Sequence, residues 1–146
     1  MLVTLATRTF TPEPTAAALR LGALTRALAA GGDRVRVLTS RLAPSVARDA
    51  RRLADGGVDA GEDSGLVEVR RAPVLRDRTG AVRGYVSYMS FDLPLLARLL
   101  TGPRPDVVVS EPPPTTGAAV RIACAVRRVP YVYYCADIVS DAAALA

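Results

Sequence analysis

The sequence predicts an α/β protein, a doubly wound parallel sheet of about five strands with helices on both faces. Three observations carry this expectation. Five short apolar runs alternate with longer segments of helical spacing. The runs are short and predominantly apolar, as strands covered on both faces of a parallel sheet are. A chain of 146 residues, half hydrophobic and 23% charged, can bury one domain core.

Each element has a local reason. Leu2 to Ala6 is short and apolar and reads as the first strand. The two prolines of Thr11-Pro12-Glu13-Pro14 forbid a helix before residue 14, and Pro14 suits a first helical turn. Ala17, Leu21, Leu24 and Leu28 then recur on one helical face, and Gly31-Gly32 ends that helix. Val35, Val37 and Leu38 form the second strand, which closes on Thr39-Ser40. A short helix over Ser45 to Leu53 and a mobile acidic loop over Asp55 to Gly65 follow. Leu66 to Arg70 alternates as a third strand, and a loop carrying Arg70, Arg71, Arg76, Arg78 and Arg83 comes after it. Tyr85 to Leu100 reads as a long apolar helix, kinked or restarted near Pro94, with Leu93, Leu96, Leu99 and Leu100 on one face. Asp92 reads as a helix cap. Asp106 to Ser110 is the fourth strand and Glu111-Pro112-Pro113-Pro114 a rigid loop. A helix from Thr116 to Arg128 turns Val120, Ala123 and Val126 inward, and Tyr131 to Cys135 is the fifth strand. The natural doubly wound order of these strands is 3-2-1-4-5, with right-handed crossovers.

Composition narrows the chemistry. All 19 basic residues are arginine, and lysine, histidine and tryptophan are absent. This excludes a P-loop lysine, a Schiff base, a Ser-His-Asp triad and a histidine metal site. The two cysteines cannot make a cysteine-only zinc site; Cys124 and Cys135 read as buried small hydrophobes in a reducing compartment. Catalysis must rest on carboxylates, hydroxyls, backbone amides or arginines. The net charge of +5 is scattered and lacks an arginine-aromatic recognition motif, so no nucleic acid partner is expected. No signal peptide and no bilayer-length apolar stretch is present, which points to the cytoplasm. The arginine-rich loop beside Tyr85, Tyr88, Met89 and Phe91 reads first as a solvated loop before a core helix; the lesser reading is a peripheral contact with anionic lipid at the inner face of the membrane.

In an open α/β sheet, ligands bind at the carboxyl ends of the strands where strand order reverses. Here that crevice lies between strands one and four. Its expected rim is Arg8, Thr9, Glu13, Thr15, Ser110, Glu111, Thr115, Thr116 and Asp137, with Thr39 and Ser40 beside it. Taken singly, Thr15 and Thr116 also read as helix caps and Glu111 as a solvated acid. No G-x-G-x-x-G follows the first strand, so the phosphate cradle of a dinucleotide enzyme is missing.

Four segments resemble glycosyltransferase family 4 enzymes. Phe10-Thr11-Pro12-Glu13-Pro14-Thr15-Ala16-Ala17 is similar to the family's aromatic-Pro-Pro-Glu loop after the first strand. Leu24 to Ser40 is similar to its "L-A-x-x-L-x-x-x-G-H-x-V-x-V-x-T" helix-turn-strand. Arg104 to Pro113 is similar to "R-P-D-V-V-x-x-x-x-P-P", and Val129 to Asp141 to "V-P-Y-V-x-x-x-x-D-x-W-P-D". The chain departs from the pattern at Thr15-Ala16-Ala17, where the family often has glycines, at Asp33 for its His, and at Val139-Ser140 for its Trp-Pro.

The resemblance implies a Rossmann-like N-terminal, acceptor-side domain of a GT-B enzyme over residues 1–146, with a C-terminal donor-binding domain as the missing partner. It implies retaining transfer of a sugar from a nucleotide-sugar donor to an acceptor hydroxyl. That acceptor would be a glycan, a lipid-linked sugar or a metabolite. It implies neither cofactor nor metal, and it leaves the fragment inactive alone. By position it places Glu13 and its neighbours near the donor phosphates or acceptor, Ser110 to Pro113 on the acceptor side and Asp137 at the cleft edge; together with the crevice rim this makes Arg8, Glu13, Thr15, Ser110, Glu111, Thr116 and Asp137 the expected cleft residues, with no catalytic residue assigned. The competing expectation is a stand-alone flavodoxin-like ligand-binding or interaction module.

Overall fold

A computed structural model describes residues 1–55, 65–77, 80, 82 and 84–135. Five parallel strands form one sheet: β1 (Leu2–Ala6), β2 (Arg34–Ser40), β3 (Val67–Ala72), β4 (Val107–Ser110) and β5 (Tyr131–Tyr133). Their order is β3-β2-β1-β4-β5, so the order reverses between β1 and β4 as expected. The helices are α1 (Ala16–Ala30), α2 (Pro44–Asp55), α3 (Tyr85–Thr101) and α4 (Pro114–Arg127). The protein is therefore a Rossmann-like α/β fold.

Strand side chains alternate between two covered faces. On one face Leu5, Val35 and Val37 pack with Phe10 and with Leu21 of α1. On the other, Ala6, Leu38 and Val108 pack with Phe91, Leu95 and Leu99 of α3 and with Val120, Ala123 and Cys124 of α4. Two acids fasten the start of β1 to its neighbours. Leu2 N–H donates to Asp106 Oδ2 at 2.6 Å, and the Met1 ammonium donates to Asp33 Oδ1 at 2.7 Å.

The helices exist where expected, but several present a different face. In α1 the buried residues are Ala18, Leu21, Gly22 and Thr25, whereas Leu24 is 38% exposed. Apolar residues ring this helix, so spacing alone does not fix its rotation. Gly22 does: a Cβ there would stand 2.8 Å from Thr11 Cγ2, and the loop after β1 rests on that glycine. Helix α3 is continuous through Pro94 rather than restarted. Pro94 lies on the exposed side, where water can serve the carbonyl that the missing N–H leaves free. Leu93 and Leu100 face solvent; Phe91, Asp92, Leu95 and Leu99 are the buried set. Asp92 is thus no cap but a core residue in mid-helix.

Helix α4 starts at Pro114, after the N-cap Pro113, so Thr116 is an interior helical residue. Cys124 takes the inward position expected of Val126, which is exposed. Cys135 is exposed rather than buried, because β5 is a three-residue edge strand that ends before it. Helix α2 is longer than expected, and β3 runs to Ala72. Most of the expected acidic loop, Arg78, Arg83 and residues 136–146 lie outside the described residues. No helix among the described residues is long and apolar enough to cross a membrane.

Candidate functional site

Two loops build the crevice at the switch point. The first, residues 7–15, leaves β1; the second, residues 111–113, leaves β4. Each contains a cis proline bond, Thr11–Pro12 and Pro112–Pro113. The first loop ends on Thr15, whose hydroxyl accepts the Ala18 N–H at 3.1 Å and caps α1, one residue after Pro14. Its middle is held from β3: the Arg71 guanidinium donates to the Thr11 carbonyl. Its start is held from β2: the Ser40 hydroxyl donates to the Arg8 carbonyl at 2.7 Å.

Arg8 stands at the centre. Its guanidinium lies 3.9 Å from the centroid of the Tyr88 ring of α3. Burial lowers its pKa, and Tyr88, Asp92 and Glu111 oppose that shift. The Nη1 atom is buried and has no hydrogen-bond partner. Arg8 is thus a half-buried cation bordering the crevice, with one donor closed off from solvent and unpaired.

Cavities open on both sides of Arg8. One, of about 420 Å³, is bounded by Arg8, Thr9, Glu13, Thr15, Ser40, Arg76 and the first turn of α2. The other, of about 270 Å³, is bounded by Thr7, Arg8, Thr9, Arg20, Glu111 and Pro112. Each acid is tied to an arginine. Glu13 Oε1 lies 3.6 Å from Arg76 Nη2, and burial raises the Glu13 pKa against the pull of Arg76 and Arg71. Glu111 is buried beside the crevice, accepts from the Thr7 hydroxyl at 3.2 Å and lies 3.4 Å from Arg20 Nη2.

Of the expected site residues, Arg8, Glu13, Thr15 and Glu111 meet around these cavities. Ser110 and Thr116 do not reach the open space. Both are fully buried; Ser110 Oγ has no partner, and Thr116 Oγ1 donates to Asp92 Oδ1 at 2.6 Å. Asp137 lies outside the described residues. Three residues of the site escaped the sequence reading: Arg20, Arg76 and Tyr88. Arg76 was legible in principle, because the loop after β3 opens on the same sheet edge as those after β1 and β4. The expected lipid-facing aromatics are partly spent inside: Phe91 is core and Tyr88 lies against Arg8. No cluster of three or more potential metal ligands occurs among the described residues.

The chain is thus a Rossmann-like α/β domain with charged cavities at the carboxyl edge of its sheet, one at the switch point between β1 and β4 and a larger one over the loops after β1, β2 and β3. Residues 15–145 match the family model described as a Glycosyl transferase 4-like domain, and the chain belongs to that family. The match supports transferase activity in general. It contains Thr15, Ser110, Glu111, Thr116 and Asp137, and starts just after Arg8 and Glu13. Comparison with curated proteins found no match.

Proposed function

We propose that this chain forms the acceptor side of a GT-B glycosyltransferase, which moves a sugar from a nucleoside diphosphate sugar to an acceptor hydroxyl with retained configuration. The family match is the observation that carries this reading. Breaking the bond between sugar and diphosphate leaves the electron pair on the diphosphate; the new bond forms to the acceptor oxygen, whose proton passes to the released diphosphate. The protein's task on this side is to hold that oxygen on the face of the sugar from which the diphosphate departs, as retention requires, and to keep water out. The paired chambers around Arg8 supply walls, hydroxyls and charge for an acceptor. The donor belongs to a second domain, and the present residues perform no transfer without it. We assign the polypeptide to the cytoplasm.

The test is a transfer assay on the polypeptide encoded by the complete reading frame, with labelled nucleoside diphosphate sugars and a panel of glycan, glycolipid and metabolite acceptors. The expected result is transfer with retention, and a loss of about tenfold to a hundredfold in kcat/KM when Arg8→Ala removes a charged hydrogen-bond donor. No transfer from any donor, or full activity in the variant, overturns the reading.

A further inference from the structure

The larger chamber has a charge pattern that a neutral sugar does not need. Among the described residues two guanidinium groups, Arg8 and Arg76, border it, against the single carboxylate of Glu13. Arg76 is mostly buried and fixed as a fork. Its Nη1 donates to the Gly80 carbonyl at 2.9 Å, and its Nη2 donates to Ser40 Oγ at 3.3 Å and to the Arg41 carbonyl. Arg8 brings the buried, unpartnered Nη1. The first turn of α2 enters from the third side through Ser45 and Val46. Their N–H groups have no partner within the helix, since Ala47 is the first residue to bond back, to the Ala43 carbonyl at 2.9 Å. The positive end of a 12-residue helix therefore points into a chamber already bordered by two arginines. A volume of about 420 Å³ takes a sugar ring together with a phosphate or carboxylate.

We propose that this chamber takes an anionic group of the acceptor, a phosphate or carboxylate, held between Arg8, Arg76, the Ser45 hydroxyl and the first-turn amides of α2. The enzyme then prefers phosphorylated or acidic sugars over neutral ones. This rests on the acceptor-side reading above and sharpens it to a substrate class. The helix end gains an acceptor when the anion binds beside the two guanidinium groups, and Glu13, 3.6 Å from Arg76 Nη2, keeps Arg76 oriented while the chamber is empty.

The probes are inorganic phosphate, a hexose 6-phosphate, the same hexose without phosphate, and a nucleoside diphosphate, each titrated by calorimetry into the complete polypeptide. The hexose phosphate is expected to bind at least about tenfold more tightly than the hexose, and inorganic phosphate to compete with it. Arg76→Gln is expected to abolish the preference, but Arg76 also ties three loops together. Ser45→Asp is the cleaner variant: a carboxylate in the first turn favours the helix and repels an anion in the chamber. It should keep the melting temperature and lose the preference. Equal binding of hexose and hexose phosphate, or a preference that survives Ser45→Asp, overturns the proposal. So does competition by the nucleoside diphosphate alone, which would assign the chamber to the donor. Sugar transfer to neutral acceptors with no anion preference removes only this proposal. Absence of transfer from any donor removes the acceptor-side reading itself.

Discussion

Glu13 shows how burial and pairing divide one residue's behaviour. Its carboxyl pKa is raised because burial outweighs the attraction of Arg76 and Arg71. A raised folded-state pKa means that the neutral form favours the fold. The associated stability is full below the ordinary carboxylate pKa and is lost as pH rises through the raised one. Urea unfolding at a series of pH values should therefore show the wild type gaining on Glu13→Gln as pH falls from neutral. A constant difference would refute the assignment of burial as the dominant cause. Asp92 is the other residue-scale test. Asp92→Ala leaves the buried Thr116 hydroxyl without its acceptor and should lose about 1–3 kcal/mol of unfolding free energy, while Asp92→Asn keeps an acceptor and loses less. Equal losses would mean that the hydrogen bond contributes nothing. Thr15 was legible as a cap because a Thr after proline and before an alanine run has one local use. Asp92 was not, because an acid before Leu-Pro looks like a cap until α4 brings Thr116 against it.

At the scale of elements, the strands were legible and the helix faces were not. A strand such as Val107–Ser110 is apolar on both sides and bounded by Pro105-Asp106 and the proline loop, so position and type follow from composition. Helices α1 and α3 carry Leu or Ala at almost every angle. Their rotation is set by close approach instead, at Gly22 in α1 and at the α3–α4 contact through Phe91, Asp92 and Thr116. Gly22→Ala tests this. In an exposed helix interior the change would add roughly 0.5–1 kcal/mol of stability. Here the new methyl meets Thr11 Cγ2 and displaces the loop that presents Arg8 and Glu13. Sugar-transfer efficiency should therefore fall by more than the melting temperature does. A variant that gains stability and keeps full activity would show that the loop does not need this contact.

For the whole molecule, strand order was readable because five apolar runs and their helical connections admit few right-handed windings, and the order reversal then located the crevice. The crevice's composition was only half readable. Arg8, Glu13, Thr15 and Glu111 follow β1 and β4 directly, whereas Arg76 and Tyr88 arrive from segments distant in sequence. The central claim is that Arg8 serves the acceptor and not the donor. Steady-state transfer by the complete polypeptide, with donor and acceptor concentrations varied independently, tests it most directly. Arg8→Ala should raise the acceptor KM about tenfold or more and leave the donor KM unchanged. A rise in the donor KM with an unchanged acceptor KM would contradict the account.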